Sequence, residues 1–224
     1  MTLLLVAHGT RDPAGAQTAA GLVDAVANRL PDTTVRLAFA DVRGPTVPDV
    51  LAELAGPVTV VPAFLASGYH VRVDLPAQLA GRPDVCLTEP LGPAPGLVAV
   101  AKERLVAAGW HGTGRVVLAA AWSSDARARA DVTSAANLLS RAIRRRVDVG
   151  YVGQTDMRRA AVASWLLAPG LFHRWLRESG ADVVSDPLGT HPLVADEIVR
   201  RYESNRPGWS SRAARAASVT SDHR

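Results

Sequence analysis

Three side chains that often bind metal ions stand at the ends of predicted strands in the first third of the sequence. His8, Asp41 and His70 each come after an apolar run of strand type. Because the carboxyl ends of parallel strands lie at one edge of a sheet, we expect these side chains to converge there. Two imidazoles and one carboxylate suit a borderline divalent ion such as Fe²⁺, Co²⁺, Ni²⁺ or Zn²⁺. The pattern therefore predicts a metal site, although Asp41 has the alternative role of capping the segment that follows it.

Glycines and arginines accompany these polar side chains. Gly9 and Gly68 stand close to the two histidines and let the backbone approach a bulky ligand. An arginine follows each polar group in turn, at Arg11, Arg43 and Arg72. Guanidinium groups beside a metal-binding pair indicate a substrate that carries carboxylates or phosphates. Solvated surface positions are the alternative interpretation for Arg43 and Arg72.

Alternating strand and helix patterns define the elements that must position these residues. The predicted strands are residues 3–7, 35–40, 58–64, 85–88, 116–121, 147–152, 161–168 and 181–185. The predicted helices are residues 14–30, 47–54, 97–108, 126–144, 171–179 and 193–202, with short helical pieces around 70–80 and 156–160. Near-continuous apolar strands that alternate with helices are typical of a parallel sheet covered on both faces. The predicted fold class is therefore α/β.

The two halves of the chain resemble each other, which predicts an internal duplication. "TEPLGPAP" at 88–95 parallels "SDPLGTHP" at 185–192, and "FLASGYH" at 64–70 parallels "LLAPGLFH" at 166–173. "VAHGTRD" at 6–12 stands opposite "AAWSSDA" at 120–126. We therefore expect two similar parallel-sheet lobes with a cleft between them. The predicted boundaries are 1–110 for a lobe with the metal site, 115–205 for a second lobe, and 206–224 for a disordered tail.

Composition narrows the class of function. The chain has 224 residues, 48% of them hydrophobic, and its apolar runs are far shorter than the roughly 20 residues of a membrane span. A single cysteine, Cys86, and the lack of a recognisable secretion signal predict a cytoplasmic protein. The net charge is +4, but no basic stripe alternates with aromatic residues. These features argue against membrane and nucleic-acid partners.

The segments "AHGTR", "FADV" and "PAFLASGYHVRVDLP" together resemble the class II chelatases of the sirohydrochlorin chelatase type (CbiX/SirB). "WLLAPGLFHRWLRESGADVVSDPLGTHP" is similar to the carboxyl-terminal copy in the two-domain members, so the resemblance covers about residues 1 to 205. It implies two α/β lobes around a cleft. It also implies an ATP-independent lyase that inserts a divalent metal ion into sirohydrochlorin, a polycarboxylate tetrapyrrole. No tightly bound cofactor is implied, since the ion is a substrate.

The resemblance also implies roles for particular residues. His8 corresponds to a metal ligand that takes pyrrole protons, and His70 to a second metal ligand and catalytic residue. Asp41 stands where the family commonly has Glu, so its shorter side chain is a departure from the pattern. Trp122 and Ser123 are matched to His8 and Gly9 in the second copy, which would leave that copy without the same metal ligands. The predicted substrate-binding residues are Thr10, Arg11, Arg43, Leu65, Ala66, Ser67, Gly68, Tyr69 and Arg72.

Several alternatives stay open at this point. Iron is favoured slightly over cobalt as the inserted ion, which would place the enzyme in sirohaem rather than cobalamin biosynthesis. His173 and His191 are further candidates for substrate contact. A histidine phosphatase also has a strand that ends in His-Gly, but it carries an arginine directly before the histidine, where this chain has Ala7. A carrier that binds metal or tetrapyrrole without turnover is the remaining alternative, and the expected oligomeric state is a monomer or weak homodimer.

Overall fold

Two four-stranded parallel sheets form the framework of the protein, whose computed structural model describes residues 1–205. The first sheet has the order β2-β1-β3-β4 and the second the order β6-β5-β7-β8. The strands are β1 Thr2–Ala7, β2 Thr34–Phe39, β3 Val58–Pro62, β4 Val85–Leu87, β5 Arg115–Ala120, β6 Val147–Tyr151, β7 Ala160–Ser164 and β8 Val183–Val184. The predicted α/β class with two similar lobes is confirmed. The predicted tail, 206–224, lies outside the described residues.

The helices fall close to their predicted positions. They are α1 Pro13–Ala27, α2 Val47–Ala52, α3 Leu75–Gln78, α4 Pro95–Ala107, α5 Ala126–Ile143, α6 Leu171–Arg177 and α7 Pro192–Ser204, and a π-helical turn, His70–Asp74, leads into α3. The predicted helical turn at 156–160 is absent from the described chain, where turn residues lead directly into β7. No helix within residues 1–205 is long and apolar enough to cross a membrane.

The last helix of each lobe packs against the other lobe. Helix α4 contacts α5 and β7, whereas α7 contacts α1 and β3. One continuous apolar core consequently contains side chains from both sheets, among them Leu5, Leu97, Leu118 and Tyr202, all fully buried. Each lobe is therefore covered in part by a helix from the other half of the chain. The division into domains at 1–110 and 115–205 stays a prediction.

An aspartate N-cap begins the first long helix of each lobe. Asp12 is the N-cap of α1 and its side chain accepts a hydrogen bond from the Ala14 amide. Asp125 is the N-cap of α5 and accepts from the Arg127 amide. Each aspartate follows its strand β1 or β5 by a few residues, so both caps lie at the carboxyl edges of the sheets. The loops between strand and cap therefore border the cleft.

Candidate active site

The two histidines predicted as ligands lie side by side at the carboxyl edge of the first sheet. The ring centroids of His8 and His70 are 4.8 Å apart, and the ring planes meet at 87°. Phe64 lies next to both, with its ring centroid 6.0 Å from His8 and 6.2 Å from His70. His8 is exposed and His70 is partly exposed, so both rings can be reached from the cleft.

Each histidine has a polar partner at Nδ1. His70 Nδ1 is 2.9 Å from Asp74 Oδ2, and His8 Nδ1 is 3.2 Å from the Gly9 carbonyl oxygen. A neutral imidazole that donates from Nδ1 keeps its lone pair on Nε2. Metal-binding histidines typically donate the N–H of the other ring nitrogen to an oxygen acceptor of this kind. This arrangement leaves Nε2 of each ring available to an ion in the cleft.

Asp74 is a site residue that the sequence analysis missed. The π-helical turn His70–Asp74 places its carboxylate one turn after the imidazole. The hydrogen bond with His70 lowers the pKa of Asp74, so the carboxylate stays charged at neutral pH. The spacing of four residues in "HVRVD" was the available signal, because residues i and i+4 are neighbours on a helix.

Asp41 stands apart from the histidine pair in this structure. Its amide donates a hydrogen bond to the His8 carbonyl, but its carboxylate accepts from the Val42 amide at 2.6 Å. Within residues 1–205, no three His, Cys, Asp or Glu side chains lie close enough together to hold an ion. The predicted three-ligand set is therefore not assembled here, and a ligand role for Asp41 stays a prediction.

Glycine is required in the loop that follows β1. Gly9 has a φ of +98°, and an added Cβ would lie 2.0 Å from the Asp41 carbonyl oxygen. A side chain at this position would push the end of β1 away from the end of β2. Gly9 therefore sets the position of His8, which comes immediately before it.

The predicted substrate-contacting loop divides between two surfaces. Leu65, Ala66, Gly68 and Tyr69 line the cleft, and Tyr69 is 62% exposed. Ser67 instead points its backbone toward the second lobe, where its amide donates to Asp131 Oδ2 at 2.7 Å. The loop therefore both borders the cleft and holds the lobes together.

The predicted polar contacts also separate into distinct groups. Thr10 and Arg11 line the cleft, and Thr10 Oγ1 accepts a hydrogen bond from the Asp12 amide. The Arg43 guanidinium lies 5.1 Å from the centre of the Phe39 ring and does not line the cleft. A substrate role for these three residues stays a prediction.

Arg72 takes part in a reciprocal pair of contacts between the lobes. Its Nη1 is 3.0 Å from Oδ2 of Asp125, the N-cap of α5. Arg174 makes the corresponding contact from the second lobe, with its Nη1 2.9 Å from Oδ2 of Asp12, the N-cap of α1. We call these two ion pairs the inter-lobe clamp. The Arg72 guanidinium is thus committed to a protein carboxylate in this structure, rather than free for a substrate carboxylate.

Strand pairing corrects the predicted match between the two copies by one residue. Ala7 pairs with Phe39 in the first sheet, and Ala120 pairs with Tyr151 in the second. Asp12 and Asp125, the two N-caps, confirm the same offset. Ala121 therefore takes the place of His8, Trp122 the place of Gly9, and Ser123 the place of Thr10. The difference arises because the hydrogen-bonding register, rather than the nearest large side chain, fixes the equivalence.

Both second-lobe histidines make hydrogen bonds within the protein, and a substrate contact by either one stays a prediction. The equivalence that relates Arg72 to Arg174 relates His70 to Phe172 and Val71 to His173. His173 is 6% exposed, its Nε2 lies 3.2 Å from the Ser185 carbonyl oxygen, and burial lowers its pKa. His191 caps α7 by accepting from the Leu193 amide.

A large cleft connects these features. Its volume is about 1410 Å³, and residues of both lobes line it, with the histidine pair on one side. On the second lobe, Trp122 and Tyr151 meet edge to face with ring centroids 5.1 Å apart, and the Arg129 guanidinium lies 5.3 Å from the Trp122 ring centre. The space is sufficient for a ligand larger than an ordinary drug-sized molecule.

Comparison with known proteins finds a family match for the first lobe. Residues 2–108 match the sequence model of the CbiX family. This lobe, just under half of the chain, therefore resembles the CbiX family. The match contains both histidines and Asp74, and it ends before β5, so the aromatic side chains of the second lobe lie outside it.

Curated relatives match part of this chain, and solved structures share its fold. The sirohydrochlorin cobaltochelatase of Methanosarcina acetivorans is 32% identical over 82 residues, which cover 35% of this chain and 63% of that protein. This chain thus spans just under two thirds of the length of that curated relative. SirB from Bacillus subtilis with Fe³⁺ has a TM-score of 0.76 at 21% identity and covers 94% of this chain and 97% of that one. CbiX, described as the terminal enzyme for siroheme biosynthesis in denitrifying bacteria, has a TM-score of 0.71 at 25% identity, covering 92% and 100%.

Proposed function

We propose that this protein is a sirohydrochlorin chelatase that inserts a divalent metal ion, Fe²⁺ or Co²⁺, without ATP. The observation that carries the proposal is the pair of imidazoles, 4.8 Å apart, at the border of a cleft of about 1410 Å³. The match of the same lobe to the CbiX family model supports the substrate class.

The histidine pair supplies the ligands for the incoming ion. Imidazole nitrogen suits Fe²⁺ and Co²⁺, and two ligands leave most of the coordination positions of the ion open for the pyrrole nitrogens. Two protein ligands also hold an ion less tightly than a closed four-ligand site, which favours its release into the ring. The exposed position of His8 suits this transfer, since the ion must leave the protein.

Insertion also requires the removal of two pyrrole N–H protons. A neutral imidazole accepts a proton at neutral pH, and its Nε2 cannot hold a proton and an ion together. We assign both proton transfers to His8, which accepts the two protons one after the other and passes each to water in the open cleft, because His70 is tied to Asp74 and oriented by it. His8, whose Nδ1 contact is only to the neighbouring backbone, has more freedom to exchange its ligand role for a proton.

The charged groups of the cleft match a polycarboxylate ring. Arg11 and Arg129 line the cleft from opposite lobes. Guanidinium groups bind carboxylates through charge-assisted hydrogen bonds and keep their charge at every physiological pH. Arginines on both walls would therefore hold the propionate and acetate side chains at the rim of the ring while its centre stays near the histidines.

The relatives differ in the metal that their names carry. The Methanosarcina acetivorans relative is named for cobalt, whereas the Bacillus subtilis structure contains Fe³⁺. A site of two imidazoles accepts either divalent ion, so cellular supply has a large part in the choice. We retain Fe²⁺ as the favoured ion, with Co²⁺ as the close alternative.

A side-by-side insertion assay tests this function. Metal-free sirohydrochlorin is mixed with Fe²⁺ or Co²⁺ under anaerobic conditions, and the change in visible absorption is compared with the rate without protein. His8→Ala and His70→Ala should each lose nearly all of the catalysed rate while retaining the wild-type circular dichroism spectrum. His111→Ala, which changes an exposed histidine between α4 and β5, is the matched control and should retain the rate. Near-normal turnover by His8→Ala, or wild-type binding without turnover, would refute the proposal.

A further inference from the structure

The aromatic residues of the chain are concentrated in the cleft. Residues 1–205 contain 4 Trp, 3 Tyr and 3 Phe, and 7 of these 10 side chains line the cleft. Most large aromatic side chains in soluble proteins are buried in the core or at interfaces. Trp122 is instead 48% exposed, although it lies at the same sheet edge as the fully buried end of β5. An exposed indole in a cleft is a surface that a flat ligand can cover.

Equivalent strand-end positions carry different kinds of side chain in the two lobes. In the first lobe, the strand-end loop has His8 and then Gly9, which has no side chain. In the second lobe, the equivalent residues are Ala121 and Trp122, the smallest chiral side chain followed by the largest of all. Phe172 similarly takes the place of His70. At these equivalent positions, the first lobe offers imidazole nitrogens and an open backbone, and the second lobe offers the aromatic rings of Trp122 and Phe172.

The Trp122 ring is held in place by its neighbours. Tyr151 meets it edge to face at 5.1 Å, and Arg129 lies over it at 5.3 Å. Arg129 is itself fixed, because its Nη1 donates to the carbonyl oxygens of Ser123 and Ser124 at 3.0 and 2.6 Å. A ring restrained in this way loses little conformational entropy when a ligand covers it, so more of the stacking energy is available for binding.

We propose that Trp122 is the residue that positions the tetrapyrrole, by stacking against the macrocycle and turning its opposite face toward His8 and His70. This proposal rests on the proposed function, since it takes sirohydrochlorin as the ligand. The second lobe then acts as a binding wall for the ring plane, and the first lobe acts on the ring centre. Arg129, beside the indole, would pair with a carboxylate at the ring edge.

Binding of metal-free sirohydrochlorin, with no metal ion and no turnover, tests the proposal directly. The dissociation constant is measured by visible absorption for the wild type, Trp122→Leu and Trp122→Phe. Loss of a stacked aromatic side chain should weaken binding by Trp122→Leu roughly ten- to a hundredfold, as stacking of planar rings on aromatic residues does elsewhere. Trp122→Phe keeps an aromatic face and should recover most of the affinity.

Trp175→Leu is the matched control. Trp175 is 46% exposed, like Trp122, but does not line the cleft. Its replacement should leave the dissociation constant within about twofold of the wild-type value, the scatter expected for a surface change. Co²⁺ binding to Trp122→Leu should also be unchanged, which separates lost ring binding from a damaged metal site or a disturbed fold.

The outcomes distinguish this inference from the proposed function. Equal affinity of wild type and Trp122→Leu for sirohydrochlorin overturns the role of Trp122 and leaves the chelatase proposal standing. Equal losses in Trp122→Phe and Trp122→Leu also overturn it, because stacking would then not be the cause. A wild-type protein that binds no sirohydrochlorin refutes the proposed function itself.

Discussion

Asp74 orients His70, and Asp74→Ala should therefore weaken the binding of Co²⁺. The ring nitrogen and the carboxylate oxygen are 2.9 Å apart, and the two side chains are 28% and 30% exposed. A hydrogen bond to a charged group contributes about 1.5–3 kcal/mol, and solvent screening reduces this at a partly exposed pair. We expect a loss of about 1–2 kcal/mol. This loss corresponds to a roughly 5- to 30-fold weaker affinity.

Isothermal titration calorimetry with Co²⁺ alone measures this effect without the tetrapyrrole. Asp74→Asn keeps an amide oxygen that can accept from Nδ1 of His70, so it should recover part of the affinity. Asp32→Ala, which removes an exposed carboxylate from the loop before β2, is the control and should bind Co²⁺ as the wild type does. Unchanged Co²⁺ affinity in Asp74→Ala, in a protein whose His70→Ala variant no longer binds, would refute the reasoning.

Two further predictions concern the contacts that shape the cleft. In the inter-lobe clamp, Arg72→Ala and Asp125→Asn should be coupled by about 0.2–1 kcal/mol, because the ion pair is partly exposed. A double-mutant cycle measured by urea unfolding gives this coupling energy. Strictly additive changes in the free energy of unfolding would contradict an energetic role for the contact. Gly9→Ala should lower the free energy of unfolding by about 2–4 kcal/mol, since it combines a positive φ with a steric clash. Gly96→Ala, in the first turn of α4 with no atom within 4 Å of the added Cβ, is its control and should raise stability by about 0.5–1 kcal/mol. Equal melting temperatures for the two glycine variants would contradict the account of Gly9.

The histidine pair was predictable from sequence because topology brings both residues to one edge of the sheet. His8 follows a continuous apolar strand and His70 follows the third strand, and parallel strands bring their carboxyl ends to one edge. Asp41 follows the same rule and reaches the same edge, but its carboxylate bonds to the next amide instead of joining the histidines. Strand order places a residue at an edge, whereas local hydrogen bonds decide where its side chain points.

The features that the sequence did not indicate are those that depend on contacts between the lobes. The sequence predicts Arg72 as a ligand for an anionic substrate, because its actual partner Asp125 is far away in the chain and belongs to the other lobe. The exchange of α4 and α7 between the lobes has the same origin. Their apolar faces predict burial but do not specify which sheet covers them. Periodicity identifies an element and its buried side, whereas packing between the two lobes determines which sheet covers that side.

The two copies share the ion pairs that hold the lobes together and differ in the strand-end residues that line the cleft. Both have an N-cap aspartate, Asp12 or Asp125, and both have an arginine that reaches the cap of the other lobe. A symmetric cleft would present two identical walls to its ligand. Here the clamp is present in both lobes, while the second lobe has Ala121 and Phe172 where the first has His8 and His70. In the proposed reaction a metal ion enters a planar ring from one face, so a single metal-binding wall is sufficient and the opposite wall is free to hold the ring.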